Sequence, residues 1–219
     1  MRDGVATALS NFADARLSQS DLMEARKLLE ESIPEYQAVD DKEGVALNLD
    51  SLGDIWRQDG ELDKAEAAYR QAEVIARKIE DKNATAYVLS GMGDVALDRG
   101  DLPLARKRYE EAFALRNQAG EKQNTAESRV SLAKLAIEEG HAPDAEASVR
   151  ACIEQFQKEQ QADDELTARI VLIDALLAQA KLSEAQKRSG SSSTAWKQEP
   201  EPLSSFTVRV GLGPSSPGV

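Results

Sequence analysis

Apolar residues recur along most of this chain at spacings of three and four, the signature of helices that bury one face. Within the stretch after Gly44, Val45, Leu49, Leu52 and Trp56 make one stripe. After a break at Asp59-Gly60, Leu62, Ala65, Tyr69, Ala72, Ala76 and Ile79 make a second. The pattern predicts two amphipathic helices joined by a tight turn. The pair then returns. Residues 44–83 align with 84–123 without a gap at a spacing of 40, and the frame extends back over 4–43 and forward over 124–163. A fifth copy opens at Asp164 and fades after Arg188. Asp14, Asp54, Asp94 and Asp174 share one position, and Ala25, Ala65, Ala105, Ala145 and Ala185 share another.

The turns carry their own chemistry. Gly60, Gly100 and Gly140 fall where a helix must end, and glycine takes the left-handed conformation there without steric cost. Pro103 and Pro143 fall in the first turn of the following helix, where a missing N–H does little harm. Gly53 and Gly93 share a position inside the first helix with Ala13 and Ala133. A glycine there costs roughly 1 kcal/mol against alanine, so close approach of the paired helix is expected to offset it. Isolated helices of about 15 residues are marginal in water. Each hairpin therefore needs its neighbour to cover its flank, and stacked copies form one continuous core. The array is expected over 1–188, with copies near 4–43, 44–83, 84–123 and 124–163 and a partial copy at 164–188. The segment 189–219 is rich in Ser, Gly and Pro and is expected to be disordered, as in a fragment or a chain with an altered C-terminus.

These positions resemble the tetratricopeptide repeat. Leu49, Leu52-Gly53, Trp56, Gly60, Ala65, Tyr69 and Ala72 match its pattern in order and spacing. So do Leu89, Met92-Gly93, Gly100, Ala105, Tyr109 and Ala112, with Ala96 where the first aromatic would stand; the fourth copy is weaker. The 40-residue period is longer than that family's usual ~34, and the proline that usually closes the repeat is absent. Longer arrays of this kind are similar to those of bacterial signalling and regulatory proteins. The resemblance implies an all-α fold, a right-handed superhelical solenoid of antiparallel helix–turn–helix repeats. It also implies a concave face lined by the first helices. On that correspondence Leu47, Asp50, Asp54 and Arg57 point inward from the second copy. Tyr87, Ser90, Asp94 and Asp98 do so from the third, and Glu127, Val130, Lys134 and Glu138 from the fourth. This set lacks the Lys/Asn clamp by which some family members hold a C-terminal carboxylate.

Charge narrows the partner. With 27 Lys+Arg against 39 Asp+Glu, the net charge of −12 disfavours nucleic acid and anionic lipid and favours a basic peptide or protein. No cofactor or metal site is expected. His141, the single histidine, stands beside a turn glycine, and the single cysteine, Cys152, falls on a buried face with no base near it. No phosphate-binding loop, dinucleotide fingerprint or HExxH motif is present. The expectation is a cytoplasmic interaction module without catalysis. A self-assembling scaffold joined through the array ends, where Ser20 and Ala180 replace the turn glycine, and a ligand-sensing regulatory domain remain alternatives.

Overall fold

A computed structural model of the chain describes residues 2–179 with the exception of Glu121. The expected tail at 189–219 and the second helix of the fifth copy lie outside the described residues. Those described form an all-α solenoid of helices in antiparallel succession: α1 (Arg2–Ser18), α2 (Leu22–Ala38), α3 (Lys42–Gln58), α4 (Leu62–Lys78), α5 (Lys82–Asp98), α6 (Leu102–Ala119), α7 (Lys122–Glu138), α8 (Ala142–Glu159) and α9 (Ala162–Ala178). Each packs on the next. The odd-numbered helices also touch one another, α3 with α5, α5 with α7 and α7 with α9, so the first helices of the copies form a continuous row. Among the described residues no helix is long and apolar enough to cross a membrane.

The turns reveal a half-period that the turn glycines alone do not show. Left-handed backbone occurs at Ser20, Asp40, Glu80 and Gln160 as well as at Gly60, Gly100, Gly120 and Gly140, so each of α1 to α8 is followed by a left-handed residue at a multiple of 20. After each such residue, the next N–H generally reaches back to the last helical turn, as from Asp21 N to Arg16 O at 2.9 Å and from Glu61 N to Trp56 O at 2.8 Å. An aspartate at the following position then starts several helices. Asp41 Oδ1 accepts from Gly44 N at 2.9 Å, and Asp81 Oδ1 accepts from Asn83 N and Ala84 N. Turns within and between copies therefore share one construction.

The core is built across the copies. One buried cluster takes Tyr36 from α2, Val45 and Leu49 from α3, Tyr69 and Ala72 from α4, and Val88, Met92 and Val95 from α5. The glycines inside the first helices have a specific occupant. A Cβ on Gly53 would lie 2.5 Å from the Tyr69 ring, and one on Gly91 would lie 2.6 Å from the same ring. Tyr69 is thus wedged between α3 of its own copy and α5 of the next. Gly93 meets Tyr109 in the same way. In the first and fourth copies the residue in the tyrosine's place is Leu29 or Val149, and there the helix position is alanine, Ala13 or Ala133. Ring size and glycine vary together.

Candidate functional site

The row of first helices carries a cavity of about 190 Å³, and six of the twelve sequence-derived candidates line it: Asp50 and Asp54 from α3, Tyr87, Ser90 and Asp94 from α5, and Glu127 from α7. Ser131, Gly91 and Arg116 complete the wall. Arg57 and Asp98 lie beside it, paired at 3.2 Å, with Arg57 also 3.8 Å from Asp94. Lys134 and Glu138 are not on this wall; they act electrostatically on Asp174 of α9, one copy further along. Leu47 is exposed, whereas Val130, expected to point inward, is packed in the core with Val149 and Val171. The correction has a simple cause: a valine at this helix position turns to the apolar interior that α7 shares with α8 and α9, and the next residue, Ser131, takes the wall.

Several of these acids are already engaged. Tyr69 Oη donates to Asp54 Oδ1 at 2.6 Å, and Tyr109 Oη donates to Asp94 Oδ1 at 2.6 Å. The same ring that demands glycine thus also fixes the aspartate beside that glycine. Burial raises the phenol pKa of both tyrosines, and the adjacent carboxylates raise it further, so each hydroxyl stays a donor. Arg57 would lose affinity for its proton through burial, but Asp94 and Asp98 more than offset this and its pKa is raised.

Asp50 stands apart. Among the described residues it forms no ion pair, and burial lifts its carboxyl to about 8, with Asp54 pushing the same way and Arg116 opposing. Asp54 is raised as well, chiefly by burial; the Tyr69 hydrogen bond and Arg57 counteract this, and Asp94 adds to it. Among the described residues neither of these two acids, one helical turn apart, forms an ion pair, although Arg116 and Arg57 act on them from further away.

Arg116 was not among the sequence candidates because it comes from a second helix. Its register is the core register: the equivalent residues are Tyr36, Ala76 and Phe156, all buried. Arg116 is only 2% exposed. Its guanidinium donates to Ser128 Oγ at 2.7 Å and Asn124 O at 3.2 Å, lies 3.8 Å from Glu127, and stacks 4.5 Å from the centroid of the Tyr87 ring. Its Nε has no partner among the described residues. A buried charge held this way is a costly choice where other copies place a ring or a methyl group. A charged residue in a register otherwise held by Tyr, Ala and Phe is the signal that would have found it.

The remaining chemistry is structural. His141 is exposed and starts α8. Cys152 is buried, its Sγ donating weakly to Ala126 O at 3.6 Å, and burial pushes its thiol pKa up. Ser32 makes the equivalent bond to Ala6 O at 2.8 Å in the first copy. Cys152 is thus a core residue that closes a helix contact.

The comparisons agree with this architecture. Three solved structures similar to the chain share its fold. The TPR-like repeats of a kinesin light chain from Podosopora anserina are 16% identical, with a TM-score of 0.60 over 88% of this chain and 96% of that one. A Rap protein complexed with Competence and Sporulation Factor is 14% identical, with a TM-score of 0.77 over 87% of this chain and 54% of its own. A signal transduction ATPase with numerous domains and a tetratricopeptide repeat sensor, from Pyrococcus horikoshii, is 19% identical, with a TM-score of 0.67 over 93% of this chain and 32% of its own. No curated protein matches. The MalT-like TPR region matches residues 38–192, more than half of the sequence, and the chain belongs to that tetratricopeptide repeat family.

Proposed function

We propose that this chain is a protein-interaction module whose row of first helices holds a segment of a protein partner, with a basic side chain of that segment seated between Asp50 and Asp54. One observation carries the reading. Asp94 and Asp98 face Arg57, and Glu127 faces Arg116, yet Asp50 and Asp54 open on the same cavity with no ion pair among the described residues. An ammonium or guanidinium group arriving there relieves the repulsion between the two acids and favours the charged form of Asp50. Tyr87, 40% exposed on the wall and stacked on Arg116, offers an adjoining apolar surface. The module works by binding alone, and its specificity comes from charge complementarity along the row.

The wider role follows by analogy. Arrays of this fold occur as the sensor of a multidomain ATPase and in a Rap protein complexed with Competence and Sporulation Factor. The present array is read as the recognition part of a longer regulatory chain, acting in the cytoplasm. Fluorescence anisotropy with short labelled peptides, matched in length but basic, neutral or acidic, tests the central step. Basic peptides are expected to bind, and the Asp50→Lys/Asp54→Lys variant to lose that binding while keeping its helical circular dichroism. Equal binding of acidic and basic peptides, or full binding by the variant, refutes the assignment.

A further inference from the structure

Away from the cavity, the side of each junction carries a rung that joins the second helix of one copy to the end of the first helix of the next. Arg26 meets Asp59 at 3.5 Å, Glu66 meets Arg99, Arg106 Nε meets Glu139 at 3.1 Å, and Glu146 accepts from Gln179 at 2.8 Å. All four rungs span 33 residues and occupy one register, yet the sign alternates: basic–acidic, acidic–basic, basic–acidic, acidic–neutral. The residue one turn further along the second helix alternates in opposition, as Glu30, Arg70, Glu110 and Arg150. Ion pairs within the helix join Glu66 to Arg70, Arg106 to Glu110 and Glu146 to Arg150.

Alternation matters because the apolar surfaces of the copies are so alike that a second helix could stack on the wrong first helix. Slipping one copy ahead sets Arg26 against Arg99 and Glu66 against Glu139. Slipping one copy back, onto the equivalent copy of another chain, sets Glu66 against Asp59, Arg106 against Arg99 and Glu146 against Glu139. Every charged pairing among these is between like charges. A uniform polarity would have left all of them attractive.

We propose that the alternating rungs make this stacking surface specific for the copy next in register, and so oppose stacking that has slipped by one copy, within the chain or onto a second molecule. Misassembly between neighbouring units is a characteristic failure of repeat proteins. Each pair is partly exposed and contributes little to stability, so the device acts by selecting among stacked states.

The test keeps every rung attractive and removes only the alternation. One variant, Asp63→Asn/Glu66→Arg/Arg70→Glu/Arg99→Glu, inverts the second rung; a second, Arg106→Glu/Glu110→Arg/Glu139→Arg, inverts the third. Each chain is unfolded in urea, refolded at high protein concentration and sized by chromatography with light scattering. The first variant turns two like-charge contacts attractive in either slipped state and should raise the slipped dimer roughly tenfold over the unaltered protein; the second turns one or two attractive and should raise it several-fold. A dimer fraction equal to that of the unaltered protein in both variants overturns the proposal. Should neither variant fold, the unaltered chain decides: at about 1 M NaCl, where screening reaches within about 3 Å, its dimer fraction rises if the proposal holds. A dimer fraction indifferent to salt refutes it.

Discussion

Tyr69 lies between two glycines that belong to different helix pairs, and replacing one of them probes how the copies are joined. In an exposed helix interior Gly→Ala stabilises by about 1 kcal/mol. At Gly53 the new methyl group would lie 2.5 Å from the ring, against an ordinary carbon–carbon contact of about 3.5–4.0 Å. The ring must withdraw by roughly 1 Å. It cannot do so freely, because Gly91 of the next copy closes its other side, with a Cβ site 2.6 Å away. Overpacking of this kind costs about 1–3 kcal/mol. Shifting the ring also strains the 2.6 Å hydrogen bond to Asp54, a charge-assisted bond whose loss adds about 1.5–3 kcal/mol. Set against the helix gain, Gly53→Ala should destabilise by roughly 2–4 kcal/mol. Gly4→Ala, where a Cβ would meet nothing within 4 Å, is the control and should be neutral or slightly stabilising. The double variant Gly53→Ala/Tyr69→Leu copies the Ala13–Leu29 pairing of the first copy and should recover much of the loss. Urea melts followed by circular dichroism supply the measurement. If Gly53→Ala stabilised as much as Gly4→Ala, the wedge of Tyr69 between successive pairs would be an incorrect account of the junction.

Other expectations follow from the turns, the caps and the unpaired acid. Glu80 holds a left-handed conformation with a side chain that disfavours it, so Glu80→Gly should stabilise by about 0.5–1 kcal/mol; a loss of stability in the same melts would refute the shared turn construction. Asp41→Ala removes a helix-starting acceptor at 2.9 Å and should cost about 1 kcal/mol, seen as a lower urea midpoint. Asp50 has its carboxyl raised to about 8 from 3.8, so the folded state holds a proton that the unfolded state releases. Its contribution is full below about pH 4, declines as pH rises and levels off above about pH 8. Asp50→Asn should therefore match the unaltered chain at low pH and exceed it at pH 9. The limit is about 1.4 kcal/mol per unit, and partial exposure reduces the gain to roughly 2 kcal/mol. Parallel stability–pH curves would show that Asp50 is not held protonated.

The helix pairs and three of the turns were legible in the sequence because their signals are local: apolar stripes at helical spacing, and glycine where the chain reverses at Gly60, Gly100 and Gly140. The 20-residue half-period was not, since Ser20, Asp40, Glu80 and Gln160 take the glycine conformation without the glycine. The run of Asp21, Asp41, Asp81 and Asp101 was a visible signal for it, each accepting from the backbone of the helix it starts. In the candidate site, helix correspondence located Asp50, Asp54, Tyr87, Ser90, Asp94 and Glu127 on one wall. It could not tell an engaged acid from an unengaged one. That distinction depends on Tyr69 and Tyr109 reaching across from the paired helix, and on Arg57 bending toward Asp98. Arg116 escaped notice because its importance lies in burial, a property of packing. Val130 misled because a single helix position can face either the wall or the core, and the neighbours in α8 and α9 decide.

The most direct measurement is NMR titration of the folded chain with a short lysine-containing peptide, at a pH above 8 where Asp50 is charged, beside a matched peptide carrying norleucine for lysine. Shifts are expected to be confined to the wall formed by α3, α5 and α7, centred on Asp50 and Asp54, and to vanish with the norleucine peptide and in Asp50→Lys/Asp54→Lys. Shifts centred on the second helices, or shifts that persist unchanged in that variant, would contradict this placement.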